Sequence, residues 1–401
     1  MALSCTKKKY KICWVCTPLG TKGGTIKRLK LWAKYIDRNK FDITFIFYGE
    51  RNEVLKLFAN YPNVEIKYTK KIRNSVTSLL PGVYKLHQEF KQNHYDLIHS
   101  MYVWSDILVG LTSKITPGLK ILSYSAGTYL DLFVHLPLDC KIYTHPLTVV
   151  KKAFRIFGAR LLFRLIKDQI ECFIVVSEHN KKDIIKNGFP APKIYVNKIG
   201  LDFEEFQIAK NKVNTNKALT FGWAGRIGRF KRAKGLGDVI EAFHSLVKDG
   251  HYDLKLLVVA NEGSDFWKNE VFKIGLRHSI KFIDWIENIS EFFNKIDVFL
   301  LPSINEGTPR SILEAYYHNV PVIATNVGGI PEILEHNKTG FLVPYGNPNL
   351  LKEKMEYFIN NPDEVKRMGI NAREYVVKNH DVKTEVRKLE GIYLKIIEEK
   401  L

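Results

Sequence analysis

Cysteine is scarce: the 401 residues hold five, all before position 173, and their spacing matches no disulfide framework of a small secreted domain. A reducing cytoplasm is the setting this suggests. Cys13 and Cys16 do form a C-x-x-C, but inside the apolar run YKICWVC, which reads as a buried strand whose period of two sends residues three apart to opposite faces. Packed core thiols are expected there rather than redox or metal chemistry. Long hydrophobic runs are missing too. No uncharged apolar stretch reaches the ~18 residues of a spanning helix. The start, MALSCTKKKYKICWVC, has neither the apolar core nor the small-residue cleavage site of a signal peptide. A protein in solution or on a membrane surface is expected. Low-complexity tracts and internal repeats are absent, and no Asp-x-Asp pair sits in a loop suited to a metal.

Acid is short in one half only. Residues 1–200 carry 33 Lys and Arg against 14 Asp and Glu, residues 201–401 carry 28 against 28, so the whole net charge of +19 belongs to the first half. Such a half suits an anionic partner: a membrane surface, a phosphate-bearing acceptor or nucleic acid. No nucleic-acid reading motif accompanies it, which argues against the last. A lysine-rich solubilising surface is the plain alternative. Within residues 149–170, Arg160, Arg164 and Lys167 can share a helix face opposite Leu161, Leu162 and Leu165, with Gly158 as a possible break. That segment suits either an anionic headgroup layer or an ordinary packed helix.

With 45% hydrophobic and 26% charged residues over 401 positions, the chain should fold as two domains. Apolar strands alternate with longer helical patterns. The strands are KICWVC, FDITFIFYG, NVEIKY, DLIHS, LKILSYS and CFIVVS in the first half, then LTFGWAG, DLKLLVVA, IKFIDW, DVFLLPS, VPVIAT and GFLVP in the second. Alternation of this kind predicts an α/β chain of two doubly wound parallel sheets. The expected divisions are 1–202, a polar linker 203–219, 220–375, and a C-terminal helix over 376–401.

The chemistry concentrates in NEGTPRSILEAYYHNVPVIATNVGGIPEILEHNKTGFLVP, which begins at Asn305. Glu306 and Glu314 flank Gly307, Thr308 and Pro309 at a strand-to-helix turn. A helix starting near Pro309 would leave the backbone N–H groups of Thr308, Arg310 and Ser311 to hold an anion. Two carboxylates eight positions apart, followed by PVIAT, GGIPE and TGFLVP, resemble the retaining GT-B glycosyltransferases, in particular glycosyltransferase family 4 of bacterial polysaccharide and glycolipid synthesis.

The resemblance implies two Rossmann-like domains facing across a cleft, the first binding acceptor and the second a nucleotide sugar, with the last helix packing back on the first domain. It places Glu306 on the sugar hydroxyls and Glu314 on the ribose. The family's Gly-Arg pair falls at Gly225 and Arg226, and the arginine contacts the diphosphate. For the diphosphate lysine, Lys231 and Lys234 compete. Lys234, next to Gly235 and the helix DVIEAF, is favoured because a helix start fixes where the ammonium points. Gly23 and Gly24 match the first-domain glycine loop. His99 in DLIHSMY is similar to a family segment, although a structural histidine fits equally. Many members carry a histidine before Gly127, whereas this chain has Ala126. Ser125, Thr128 or His99 are the candidates to replace it. Ser177 and Asp202 are read as architecture.

By the same resemblance the reaction is sugar transfer from a UDP or GDP sugar with retention, with no cofactor and no metal. The acceptor would be lipid-linked or a polysaccharide at the inner face of the cell membrane. An epimerase of the same fold is the alternative enzyme.

Overall fold

The protein is described from a computed structural model over residues 9–16, 24–48, 58, 61, 64–69, 79–127, 158, 160–208, 219–225, 227, 234–251, 253–260, 264–284 and 286–398. The chain forms two compact units: residues 1–199 with 382–401, and residues 200–381.

The first unit is built on a seven-stranded sheet in the order β3-β2-β1-β4-β5-β6-β7. Its strands are β1 (Tyr10–Cys16), β2 (Phe41–Tyr48), β3 (Val64–Thr69), β4 (Leu97–Met101), β5 (Ile121–Ser125), β6 (Cys172–Val175) and β7 (Ile194–Val196). Every pairing is parallel. Parallel strands need covering on both faces, which explains why β4, β5 and β6 are buried at every position. Alternation along β1 sends Cys13 and Val15 into a core with Leu86 and Phe90 of α2 (Leu79–Gln92), Ile107 and Val109 of α3 (Tyr102–Ser113), and Ile184 of α4 (Glu178–Lys186). Trp14 faces the other way, against Trp32 of α1 (Gly24–Tyr35) and Phe45. Cys13, Cys16 and Cys172 are buried free thiols, and burial pushes all three up from the ordinary thiol value.

In the second unit the sheet order is β10-β9-β8-β11-β12-β13. It comprises β8 (Thr220–Gly225), β9 (Lys255–Ala260), β10 (Ile280–Ile283), β11 (Val298–Leu301), β12 (Val322–Thr325) and β13 (Gly340–Val343), again all parallel. One face packs on α5 (Leu236–Lys248) and α9 (Pro348–Asn360) through Val239, Phe243, Leu351 and Met355. Between them in sequence run α6 (Ser264–Lys273), α7 (Ser290–Phe293) and α8 (Arg310–Tyr317), and α10 (Pro362–Asn379) follows. Proline opens α9 and α10, where its missing N–H is not needed.

All twelve strands expected from the sequence are present, together with β7, whose three residues are too short to show alternation. Ser177 stands between β6 and α4. Its hydroxyl caps α4, accepting from the Asn180 backbone N–H at 3.1 Å.

The divisions also differ from expectation. Residues 203–208 do not behave as a linker: Phe203 stacks on Tyr317 at 4.7 Å, and the Gln207 carbonyl accepts from Asn294 at 2.8 Å, both within the second unit. Residues 209–218 lie outside the described ones. The return to the first unit comes at Val382 rather than 376, because Met368, Ala372 and Val376 of α10 are buried in the second unit. The last helix, α11 (Val382–Glu398), packs on the first unit, where Tyr393 meets Trp14 and His99. Among the described residues no helix is long and apolar enough to cross a membrane.

Candidate functional site

The second unit gathers its charged candidates at the ends of β8 and β11. Chain leaving β11 runs through Pro302 to Pro309 and enters α8, whose Ile312, Leu313, Ala315 and Tyr316 are fully buried. Each large buried side chain there contributes about 1.5–3 kcal/mol, and the Tyr316 hydroxyl meets that of Thr339 at 2.7 Å. The helix end is thus held firmly. Pro309 is the cap residue, one position before the helix, so the first-turn N–H groups belong to Arg310 and Ser311, and among the described residues no side chain caps them.

Glu306 lies in that loop. Its Oε1 accepts from the Ser303 hydroxyl at 2.9 Å and forms an ion pair with the Lys234 ammonium. The two side chains of the pair are 33% and 11% exposed, lysine first. Backbone anchors the same residue, since the Gly329 N–H donates to the Glu306 carbonyl at 3.1 Å. Gly328 has φ +57°, and a Cβ there would stand 1.8 Å from that carbonyl oxygen, so only glycine fits.

Lys234 is positioned from the other side. The Trp223 indole donates to its carbonyl at 3.0 Å, and Gly225 leaves room for its Cγ at 3.4 Å from a virtual Cβ. Gly235 follows at φ +69°, where a Cβ would collide with the Pro302 carbonyl at 2.0 Å. This close approach joins the β8 loop to the β11 loop. Lys231 and Arg226 lie outside the described residues.

Glu314 is buried and paired within its own helix. Arg310 Nε donates to its Oε1 at 2.9 Å, and the two side chains are 9% and 8% exposed. The guanidinium also reaches the Gly200 carbonyl at 3.5 Å and Glu205 at 3.8 Å. Arg310 thus supports Glu314 in addition to opening the helix. Gly307 and Thr308 span the turn, with Thr308 buried. Among the described residues no cluster of three or more His, Cys, Asp or Glu is arranged to hold a metal.

First-unit candidates fare differently. His99 is fully buried in an aromatic cage, stacked on Trp32 at 5.6 Å. The Tyr393 hydroxyl accepts from the Trp14 indole at 3.0 Å and meets His99 Nδ1 at 2.6 Å. Burial, then the neighbouring Arg28 charge, pulls the imidazole down to about 3. It is a neutral core residue, which corrects its candidacy for acceptor contact. Ser125 is likewise buried, and its hydroxyl donates to the Gly127 carbonyl at 2.9 Å, closing the turn after β5. Gly24 opens α1; Gly23 and Thr128 lie outside the described residues.

Ser303 and Gly328 were not among the residues singled out from sequence. Glycine in GGIPE and serine three before the first glutamate were visible, but only the folded loops bring them to Glu306.

Comparison with known proteins gives two matches in tandem: residues 22–205 match the description "Glycosyltransferase Family 4", and residues 205–375 match "Glycosyl transferases group 1". The capsular polysaccharide biosynthesis glycosyltransferase CapM of Staphylococcus aureus is 29% identical over 258 residues, covering 62% of this chain and 68% of that protein. The Escherichia coli UDP-Gal:alpha-D-GlcNAc-diphosphoundecaprenol alpha-1,3-galactosyltransferase is 24% identical over 334 residues, 79% of each chain. Among solved structures, Anabaena HepE in complex with UDP superposes with a TM-score of 0.74 at 19% identity, over 95% of this chain and 99% of that one, a likeness of fold. Two parallel Rossmann-like sheets, the Glu306–Glu314 loop and helix, and tandem matches spanning residues 22–375 agree: the chain is a GT-B protein and belongs to the group 1, family 4 glycosyltransferases.

Proposed function

We propose that this glycosyltransferase of polysaccharide biosynthesis moves a sugar from a nucleoside-diphosphate sugar, UDP or GDP, to a hydroxyl of a lipid-linked or polysaccharide acceptor, with retention and without a metal. The observation that carries the reading is the pairing of Glu306 with Lys234 beside the uncapped start of α8. A carboxylate there suits sugar hydroxyls, and an ammonium and helix N–H groups suit a diphosphate.

In the reaction the bond from the anomeric carbon to the diphosphate oxygen breaks, and its electron pair leaves with the phosphate. The acceptor oxygen bonds to that carbon on the same face, and its proton passes to the leaving phosphate oxygen. Lys234, the α8 start and Arg226 would stabilise the growing charge, while Glu314, held by Arg310, would take the ribose. These cations supply the charge that a metal would otherwise bring. The reading gains support from the UDP complex of HepE for the donor and from the diphosphoundecaprenol acceptor named for the E. coli relative.

The basic half would meet an anionic membrane at the inner face of the cell membrane. A cavity of about 640 Å³ lined by Arg160, Arg164, Lys167 and Lys186, with Asp183 as its one acid, supports this. Leu161, Leu165 and Ile185 stand 49%, 50% and 39% exposed on the same two helical segments.

A panel of UDP, GDP and ADP sugars, assayed for donor hydrolysis with and without anionic vesicles, tests the proposal. Release of one nucleoside diphosphate is expected. Hydrolysis and binding of none would end it.

A further inference from the structure

Among the described residues the Glu306 carboxylate makes its contacts through one oxygen. Ser303 and Lys234 share Oε1, and no hydrogen bond to Oε2 occurs among the described residues. If the donor is held as proposed above, its diphosphate competes with Glu306 for the Lys234 ammonium, because both anions want the same cation. A carboxylate that loses a charged partner swings among rotamers unless something else holds it.

Ser303 is placed to do so. It is fully buried, one residue beyond Pro302 at the end of β11, and it does not depend on the ligand. Its carbonyl accepts from the Thr325 hydroxyl at 2.6 Å, and its own N–H donates to the Leu301 carbonyl at 2.9 Å. Thr325 is itself buried at the end of β12. Two adjacent strands therefore fix the hydroxyl that touches Glu306.

We infer that Ser303 is a positioning residue for the transfer: it keeps hold of Glu306 Oε1 when Lys234 turns to the diphosphate, so that Oε2 is presented to a hydroxyl of the donor sugar. The inference rests on the donor reading above. Its signature is selective, because the contact bears on the sugar and not on the nucleotide.

The test compares wild type, Ser303→Ala, Glu306→Gln and the double variant. Three quantities are read: turnover of the nucleotide sugar found in the panel, affinity for that sugar nucleotide, and affinity for the bare nucleoside diphosphate. Ser303→Ala should lower kcat about tenfold, the scale of one hydrogen bond to a charged group. It should leave nucleoside diphosphate affinity unchanged and the variant cooperatively folded by thermal unfolding. In the Glu306→Gln background the same change should have no further effect on sugar-nucleotide affinity, since coupled residues are not additive. Unchanged kcat, equal losses in both affinities, or additivity would each overturn the role of Ser303 while leaving the donor reading standing. A wild type that binds and turns over no sugar nucleotide would remove both.

Discussion

One ion pair from each unit makes a comparison, because the two differ in how far they are closed off. In the first, Arg28 and Glu385 meet at 2.5 Å with side chains 4% and 1% exposed. Glu385 also accepts from the Trp32 indole at 2.7 Å, and Arg28 donates to the Tyr124 hydroxyl and the Asn197 carbonyl. The guanidinium lies over the Trp32 and Tyr124 rings at 4.9 and 4.8 Å. Each guanidinium nitrogen has a partner, and both side chains are almost fully buried. In the second unit Lys234 and Glu306 stay partly open, and among the described residues no hydrogen bond reaches the second carboxylate oxygen. The sealed pair ties α1 to α11 within the fold, whereas the open pair at a strand end keeps solvent access and, on the proposed reading, can exchange partners. Exposure and the number of fixed partners separate them.

The contrast breaks most sharply at Glu306. Glu306→Ala should cut turnover by about a thousandfold or more, with an unchanged melting temperature, as read by steady-state assay and thermal unfolding. A variant retaining activity would show that the open pair is ornamental. In the sealed pair, Arg28→Met should cost about 3–5 kcal/mol, because Glu385 is left buried without its partner. Denaturant unfolding measures this, and nucleoside diphosphate affinity should not move.

His99 sharpens the comparison with a smaller effect. Its folded value of about 3 lies below the ordinary 6.5, so between those limits the unfolded chain binds a proton that the folded chain refuses. The stability contributed by the neutral ring is complete above about pH 6.5 and drains as pH falls toward 3. His99→Gln should flatten the fall in unfolding midpoint between pH 7 and pH 4.5. An unaltered pH profile would mean that the ring is not held neutral by its cage.

Much of this was legible in the sequence. Alternating apolar strands and helical stretches set the α/β class and twelve of the thirteen strands found among the described residues, since period and length survive without tertiary context. The strand β7 escaped because three residues carry no period. The glutamates of the second half were legible through a spacing that a strand-loop-helix unit converts directly into proximity. Contacts between separate loops were not. Ser303 reaching Glu306 depends on β11 beside β12, Gly328 on the return of a loop twenty-two positions later, and the choice of Lys234 as partner of Glu306 on Gly235 closing against Pro302.

His99 shows the limit from the other side. On sequence alone it stood in DLIHSMY as readily for a binding group as for a core one. Its fate was decided by Trp14 and Trp32, which precede it by many residues, and by Tyr393, nearly three hundred positions later. Local pattern by itself determined the elements, the parallel sheets and the loop that carries Glu306, because those follow from the period of burial and from turn chemistry. Only the tertiary structure decided which polar groups are sealed and which remain available, because exposure is set by whatever distant segments pack over them.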